Sequence, residues 1–419
     1  MEKQYIRSER AHVMCPNMHF AILADIKAEF KIGKIKTCLD LMAQAHPFLR
    51  SIISCEKDST KLYYKIEDKS RIDIMERESV HTIWKDYHSI ALSEWNVFQN
   101  GLLKVFLYPI EKEMKVLFIA HHLLGDGRCL LEIVNEFANL YAEGIEPIDA
   151  PERLIQRMED LPGNSELTGV SKYLVRYLNR KWRKEEKQVS YEHYVRFSEQ
   201  FVKDNPVSYE VSEIEQQEFL SMKQYCDDHQ ITINDLLMSK LFVKMQIQKI
   251  VIAADIRSKL SCYHNGTCGN YATAMGIVCR GKHTDILQKA EEVHKQVKKH
   301  MGSNKKLMLV LSCYLNMDEG LIDAAAIATL GDFESRAAKF VGGNMFGFLK
   351  RDGVSITNLG RISNANIRAA IFIPPASPAM LLTIGALTVN DTMRLCGSYY
   401  ENSISGIDVK NQLAMLGSE

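Results

Sequence analysis

Short apolar runs alternate with helical stripes of apolar residues along most of the chain. Residues 18–24 form a strand-like run, and an apolar stripe at helical spacing follows over residues 31–46 and ends before Pro47. Residues 114–120 are apolar without a break and rich in β-branched and aromatic side chains, which is typical of a buried strand. The first half of the chain therefore predicts a mixture of strands and helices.

The second half of the chain repeats this alternation. Its pattern predicts a helix over 214–226, a helix that begins at Thr232 with a capping box, a strand over 250–256, a helix over 284–301, a strand over 354–358 and a hairpin over 380–400 that turns at Asn390 and Asp391. A chain of 419 residues also exceeds what one hydrophobic core usually organises. Two similar halves of this kind predict an α/β protein with two lobes.

A charged segment near the middle of the chain is the best candidate for a linker between the lobes. From residue 150 to residue 189 the pattern is helical and increasingly charged, and it ends in the charged run 179–187. Such a run is usually a solvated face and not a partner-binding patch. We therefore predict a first lobe over residues 1–180, a linker over 181–205 and a second lobe over 206–419.

One seven-residue stretch separates the predicted strand 114–120 from the next helical stripe. It reads His121-His122-Leu123-Leu124-Gly125-Asp126-Gly127. Asp126 is placed to cap the first turn of the helix, and Gly144 stands where the helical stripe ends. Loops between a strand and a helix often carry catalytic groups, because the scaffold fixes their geometry while one side stays open. This stretch is therefore the candidate site.

The residue types in this stretch allow acid–base chemistry. A histidine is a base near neutral pH. Adjacent residues at the end of a strand point to opposite sides, so only one of His121 and His122 can face a substrate while the other supports the loop. Asp126 can pair with an arginine elsewhere and accept backbone N–H groups, and Gly127 permits a close approach that other residues deny.

Two other interpretations compete with a catalytic loop. In the first, the stretch is only a structural turn between a strand and a helix that happens to carry histidines. In the second, two histidines and an aspartate bind zinc or iron, since these are common ligands for both metals. The divergence of His121 and His122 argues against a shared metal. A motif match nevertheless stays a hypothesis until its structural context agrees.

The stretch HHLLGDG resembles the HHxxxDG motif of the thioester-dependent acyltransferase superfamily. That superfamily includes condensation domains of nonribosomal peptide synthetases, polyketide-associated acyltransferases, BAHD plant acyltransferases and alcohol acetyltransferases. Four weaker stretches resemble parts of the same family in order and spacing: His46-Pro47-Phe48-Leu49-Arg50, Ala254-Asp255-Ile256-Arg257, Gly269-Asn270-Tyr271 and Ser355-Ile356-Thr357-Asn358-Leu359-Gly360. The resemblance thus covers most of the chain.

This resemblance implies a fold and a role for several residues. The fold would be α/β, with two chloramphenicol-acetyltransferase-like lobes, each a mixed sheet with flanking helices, and an active-site tunnel between them. His122 would be the general base. Asp126 would make a structural salt bridge, for which Arg257 is the best match in this chain. His121 and Gly127 would support the loop.

The resemblance also implies the reaction. An acyl group would pass from a thioester, either acyl-CoA or a phosphopantetheine-linked acyl carrier protein, to a small alcohol or amine. The donor would be a substrate, so no bound cofactor and no metal are expected. Thr357 and Asn358 are weak candidates for oxyanion or tunnel residues. The alternative is a non-catalytic or carrier-protein-docking protein that retains the fold, although the intact motif favours catalysis.

The composition indicates which partners and which cellular compartment to expect. The 52 basic and 52 acidic residues give no net charge, which argues against a nucleic-acid partner and against electrostatic capture on an anionic membrane. No stretch is long and apolar enough to span a membrane, and residues 1–7 lack the apolar core of a signal peptide, so we expect a cytoplasmic protein. Ten scattered cysteines without a C-x-x-C pair indicate reduced thiols.

Overall fold

Two mixed β-sheets dominate the computed structural model, which describes residues 3–57, 59–150, 152–280 and 285–417. The strands in chain order are β1 His19–Ile26, β2 Ser51–Cys55, β3 Leu62–Ile66, β4 Asp73–Glu76, β5 Leu103–Ile110, β6 Glu113–His121, β7 Val207–Ile214, β8 Lys249–Asp255, β9 Ala272–Val278, β10 Gly353–Ile362, β11 Ile367–Ile373, β12 Met380–Val389 and β13 Thr392–Tyr400. The helices are α1 Ile32–Ala45, α2 Ile83–Ala91, α3 Gly127–Glu143, α4 Gly169–Glu185, α5 Tyr191–Asp204, α6 Gln216–Asp228, α7 Ile233–Lys244, α8 Ile286–Met301, α9 Asn304–Leu307, α10 Leu309–Asn316, α11 Glu319–Leu330, α12 Arg336–Phe340 and α13 Gly406–Gly417.

The first sheet has the strand order β11-β1-β6-β5-β4, with α3 packed on β1 and against α1. Its pairs are antiparallel except for β4 with β5, which are parallel. All eight residues of β1 are buried, which explains why residues 18–24 read as an unbroken apolar run. The predicted buried strand over 114–120 is confirmed as β6, which ends at His121.

The second sheet has the strand order β7-β13-β12-β10-β8-β9. Strand β10 runs parallel to both β8 and β12, and the other neighbours are antiparallel. The predicted hairpin is confirmed as β12 and β13. Its turn residues Asn390 and Asp391 have positive φ values of 51° and 63°, which a tight two-residue hairpin turn requires.

Strand β11 joins the two halves of the chain. It follows β10 of the second sheet, yet it pairs antiparallel with β1 at the edge of the first sheet. The prediction of an α/β fold with two lobes, each built on a mixed sheet with helices, is confirmed. The predicted lobe boundaries stay a prediction, and the first lobe draws one of its strands from the second half of the chain.

Two segments differ from the sequence prediction. Residues 207–214 form the edge strand β7, and the helix predicted to begin at residue 214 begins at Gln216. Most of the residues from 152 to 168 are irregular around Pro162, so the helical pattern predicted over 150–189 becomes a helix only at Gly169. The predicted helix over 284–301 begins at Ile286, and residue 284 lies outside the described residues.

The segment predicted as a linker is mostly helical. Residues 181–205 cover the end of α4 and all of α5, and the side chains of Trp182, Phe197 and Phe201 pack into the core of the first lobe. The charged positions Arg183 and Lys184 do face solvent, as expected for such a run. None of the described helices is both long and apolar enough to cross a membrane.

Candidate active site

The loop between β6 and α3 is fixed by hydrogen bonds from several directions. The backbone N–H of His122 donates to the carbonyl oxygen of Met18 at 2.8 Å, and the Tyr64 hydroxyl donates to the carbonyl oxygen of Leu123 at 2.7 Å. The Asp126 carboxylate accepts the backbone N–H of Cys129 at 3.0 Å, so the predicted helix cap is confirmed. The loop is therefore pre-organised by the surrounding scaffold.

The two histidines of the loop point in different directions, as predicted from their adjacency. His121 is buried, its Nδ1 accepts the backbone N–H of Leu123 at 3.2 Å, and its ring packs edge-on against Trp95. Burial, together with the neighbouring rings of His19 and His122, lowers the pKa of His121 to about 3. The His121 ring is thus bonded to its own loop and is not among the side chains that line the cavity described below.

His122 lines a cavity and has an unusual set of neighbours. Its ring stacks on His12, with centroids 4.2 Å apart and planes 9° apart, and the edge of Phe20 lies 5.0 Å away. Burial lowers the pKa of His122 below its ordinary value, and the charge of Asp126 only partly opposes this shift. A lowered pKa keeps the imidazole unprotonated at neutral pH, which is the form that a general base needs.

The cavity beside His122 has a volume of about 300 Å³ and lies between the two lobes. The first lobe contributes Phe20 and His122 to its wall, and the second contributes Ile252 of β8 and Thr273 of β9. The wall is mostly apolar, with a few polar groups near the histidine. A concave apolar site of this kind suits a small organic ligand.

His12 is a site residue that the sequence interpretation missed. It lies on a short 3-10 turn, Arg10–His12, before β1, and its ring lines the cavity next to His122. The side-chain Nδ2 of Asn270 lies 3.2 Å from Nε2 of His12, where the amide can donate to the ring nitrogen. Burial and the nearby rings of His122 and His121 lower the pKa of His12 well below its ordinary value.

Asp126 and Arg257 form a buried, bidentate ion pair, which confirms the predicted partnership. Nη1 of Arg257 donates to Oδ2 of Asp126 at 3.0 Å, and Nη2 donates to Oδ1 at 2.8 Å. The two side chains are only 6% and 7% exposed. The backbone N–H of Tyr271 adds a further bond to Oδ2 at 2.9 Å. The Asp126 carboxylate is thus fully occupied, and it ties the loop to the second lobe.

The pairing with Asp126 favours the charged form of Arg257. Burial lowers the pKa of Arg257, but the charge of Asp126 and its hydrogen bonds outweigh burial, so the net pKa is raised. Its guanidinium also lies over the rings of Tyr263 and Tyr271, at 5.5 and 5.3 Å from their centroids. Asp126 therefore borders the cavity, but both of its carboxylate oxygens are occupied by Arg257 and by backbone N–H groups.

Comparison with solved structures identifies the fold. The chain matches polyketide synthase associated protein 5 from Mycobacterium tuberculosis at 14% identity and a TM-score of 0.61, covering 99% of this chain and 98% of that one. It matches the condensation domain of the Monacolin K polyketide synthase MokA at 10% identity and a TM-score of 0.64, covering 100% and 97%. The TRI3 trichothecene 15-O-acetyltransferase from Fusarium sporotrichioides matches at 11% identity and a TM-score of 0.64, covering 98% and 93%.

The chain has the condensation-domain fold. No protein-family model and no curated protein matches its sequence. The likeness to these structures therefore rests on the three-dimensional arrangement of the whole chain. The loop that carries His122 lies beside the cavity between the lobes.

The condensation-domain fold does not bring the predicted metal ligands together. His121 bonds to its own loop, His122 lines the cavity, and Asp126 is occupied by Arg257. Among the described residues, no metal-ligand group forms from these three side chains. The alternative interpretation of the motif as a zinc or iron site is therefore not supported by its geometry.

The two weak oxyanion candidates have different surroundings. Both lie inside β10 and not at its end, and Thr357 lines the cavity. Asn358 does not line it: its Nδ2 donates to Oδ1 of Asn234 at 2.8 Å, and its Oδ1 accepts the backbone N–H of Gly360 at 2.8 Å. These local bonds, beside the irregular stretch 358–361, fit the structural role that was the alternative for Asn358.

Glycines let the loop pack closely against its neighbours. A Cβ on Gly127 would lie 2.8 Å from Cδ2 of Leu359, which agrees with the close approach expected there. A Cβ on Gly125 would lie 2.8 Å from the carbonyl oxygen of Gly269 and 2.7 Å from Sγ of Cys129. Gly125 is a second required glycine that the sequence interpretation did not single out.

Gly125→Ala should therefore lower both the melting temperature and the stability of the loop. The added methyl meets backbone, which cannot move aside cheaply, and overpacking of this kind typically costs about 1–3 kcal/mol. Gly33→Ala is the matched control, because nothing lies within 4 Å of a Cβ there and the residue sits in α1. That control should be neutral or slightly stabilising. Equal melting temperatures for the two variants would contradict the tight contact of Gly125 with Gly269 and Cys129.

Proposed function

We propose that this protein is an acyltransferase that moves an acyl group from a thioester to an alcohol or amine, with His122 as the general base. The observation that carries the proposal is the position of the His122 imidazole at the wall of an apolar cavity between two lobes, where burial lowers its pKa. The fold shared with condensation domains and an acetyltransferase supports it. A thioester donor fits this arrangement because a thiolate is a good leaving group and needs no strong acid to depart.

The reaction can be written with His122 alone as the proton carrier. The imidazole removes the proton from the acceptor O–H or N–H as that atom attacks the thioester carbonyl carbon. The tetrahedral intermediate then collapses, the C–S bond breaks, and the imidazolium returns the proton to the departing thiolate. The products are the ester or amide and a free thiol. Nδ1 of His122 is buried, and the ring is hydrogen-bonded to backbone groups of His122 and Gly125. We therefore assign Nε2 to this work.

The aromatic rings beside His122 and the cavity wall would hold the base and the reactants in place. His12 stacks on His122 and Phe20 meets its edge, so the base has little freedom to rotate. Fixing a base against bound substrates can replace much of the entropy cost of a bimolecular step. Thr357 remains a candidate donor to the developing oxyanion, since its side chain belongs to the cavity wall.

The direct test is thiol release from acyl-CoA in the presence of a panel of alcohols and amines. The enzyme must be present at low concentration, because its own ten cysteines react with thiol reagents. His122→Ala protein provides the background of uncatalysed hydrolysis. Acceptor-dependent thiol release above that background supports the proposal. Release that no acceptor stimulates, or that His122→Ala retains in full, would contradict it.

A second candidate is a protein that receives its acyl group from a carrier protein. It is favoured by the fold shared with a polyketide synthase associated protein and with a polyketide synthase condensation domain. Coenzyme A and carrier proteins present the same pantetheine arm, so the chemistry at His122 would be unchanged. Comparing kcat/KM for the same acyl group on coenzyme A and on a carrier protein separates the two donors.

Coenzyme A is expected to bind with its thiol in the cavity near His122. Co-crystallisation should reveal the pantetheine arm between the lobes, with no metal ion at His121, His122 or Asp126. Pantetheine alone is the control for the arm without its nucleotide. Coenzyme A bound outside the cavity would separate the donor site from His122 and would require a different mechanism.

The pH profile of kcat/KM is expected to be flat above about pH 6.5, the ordinary value for histidine, and to fall below it. Burial lowers the pKa of His122, so the ring stays unprotonated at neutral pH and becomes protonated only under more acidic conditions. The base is therefore lost as the pH falls through this lowered value. Rates that instead rise steadily between pH 7 and 9 would assign the base to another group.

A further inference from the structure

A group of buried polar side chains lies apart from the cavity and has no role in the proposed reaction. A ring nitrogen of His46, a carboxylate oxygen of Glu152 and Sγ of Cys268 all lie within 4.8 Å of one another. The three residues are 1%, 6% and 3% exposed, and they come from the end of α1, the segment after α3 and the segment before β9. None of them lines the cavity. Nitrogen, oxygen and sulfur donors together are the set that zinc takes in proteins.

His46 is oriented like a metal-bound histidine. Its Nε2 lies 2.6 Å from Oε2 of Glu136, and its Nδ1 is buried with no hydrogen-bond partner. A histidine that binds a metal through one nitrogen typically donates its other N–H to a carboxylate, which fixes the tautomer and the ring. With the proton on Nε2, the Nδ1 lone pair has no described partner, and a buried polar atom in that state costs free energy.

Glu152 is a buried carboxyl group with only one hydrogen-bond donor among the described residues, a backbone N–H. Both of its oxygens accept the same backbone N–H, that of Phe48, at 2.7 and 3.0 Å. Within the described residues no lysine or arginine forms an ion pair with it, although the charge of Arg50 acts on it from further away. A buried carboxylate with one N–H partner lacks the cation that such groups usually have.

A second thiol lies beside the cluster. The Cys129 thiol is within hydrogen-bonding reach of the Cys268 thiol. Both cysteines are buried and free. Cys129 lies in the first turn of α3, and its backbone N–H is the one that Asp126 caps. Zinc–ligand bonds of about 2.0–2.3 Å would draw these donor atoms together around one ion.

We propose that His46, Glu152 and Cys268, the His46 cluster, bind one divalent cation of the zinc type, with the Cys129 thiol beside Cys268 as a fourth ligand. The three residues of the cluster are buried, so the ion is structural. It ties together the end of α1, the start of α3 and the segment that leads to Gly269 and Tyr271, both of which bond to Asp126. The cation thus stabilises the loop that carries His122, and it does not contact a substrate.

The test uses full-length protein without a histidine tag, purified without chelators. Elemental analysis after dialysis should find about one zinc per chain, and removal of the ion should lower the melting temperature, because binding free energy contributes directly to folding. Addition of Zn²⁺ alone should restore it. Cobalt in place of zinc should give the absorption band of a thiolate–metal bond. Protein without metal, whose melting temperature does not respond to Zn²⁺ or Co²⁺, would overturn the proposal.

Variants locate the ion. Cys268→Ser and His46→Gln should lose the metal, whereas Cys226→Ser, at a buried cysteine in the second-lobe core, should keep it. His122→Ala should keep it as well. Metal that is lost from His122→Ala but kept by Cys268→Ser would overturn the assignment and move the ion to the cavity.

Two further measurements keep the proposal testable. If Cys268→Ser does not fold, the metal content and the Zn²⁺ response of the wild-type protein still decide the matter, because neither depends on the variant. Thiol titration of the unfolded wild-type protein should find all ten cysteines reduced. Two missing thiols in protein without metal would overturn the proposal in favour of a disulfide between Cys129 and Cys268.

Discussion

His122→Ala is expected to fold normally and to lose about two to four orders of magnitude in kcat, the range that a positioned general base contributes. The His122 ring lines the cavity and stacks on His12, and burial lowers its pKa below the ordinary value. Steady-state kinetics with the best acyl-CoA and acceptor give the loss, and circular dichroism reports the fold. Added imidazole, which fits the space left by the ring, should restore part of the rate. Wild-type turnover in this variant would rule out His122 as the base.

His121→Ala serves as the companion of His122→Ala because the two residues are adjacent but face opposite sides. The ring of His121 packs on Trp95 and bonds to the backbone of Leu123. The decrease in melting temperature should therefore be larger for His121→Ala than for His122→Ala. Any loss of rate should follow from a displaced loop, and imidazole should not restore it. The opposite pattern would exchange the roles of the two histidines.

The sequence predicted the loop well because its features are local. The apolar run before His121, the cap at Asp126 and the glycine at residue 144 are each written within a few residues, and all three are present as expected. The partner of Asp126 lies 131 residues away, and it was found through a family resemblance and not through any pattern around Arg257. Local signals therefore predicted the position of the site, and the resemblance supplied its long-range contact.

The residues that were missed lack such local signals. His12 lies in a short 3-10 turn with no periodicity, and only its stacking on His122 gives it a place in the site. Strand β11 pairs with β1, which lies more than 340 residues earlier in the chain. Nothing in the pattern of β11 itself predicts that partner. The His46 cluster likewise gathers donors from three distant segments. Contacts between distant segments depend on the whole fold, so no short stretch of sequence can predict them.

Asp126→Ala and Arg257→Ala are each expected to destabilise the protein by about 3–5 kcal/mol, because each leaves a buried charge without its partner. Of the two, Asp126→Ala should cost more, since it also removes the acceptor for the backbone N–H groups of Cys129 and Tyr271. Both variants should lose activity, because the loop that carries His122 is no longer tied to the second lobe. Urea unfolding followed by tryptophan fluorescence and circular dichroism gives the free energies, and agreement between the two probes checks that the transition is cooperative.

The double variant decides between a shared interaction and two separate roles. Once one partner is gone, removing the other also removes the unpaired charge, so the double variant should be less destabilised than the sum of the two single variants by about 0.5–3 kcal/mol. The exposed pair of Arg196 and Glu192 is the control, and its variants should cost at most about 1 kcal/mol and leave the rate unchanged. Strict additivity at Asp126 and Arg257 would show that the ion pair does not act as a unit. If Asp126→Ala abolished activity with its stability intact, Asp126 would have a direct role in the chemistry, and the loop would then require a second acid–base group besides His122.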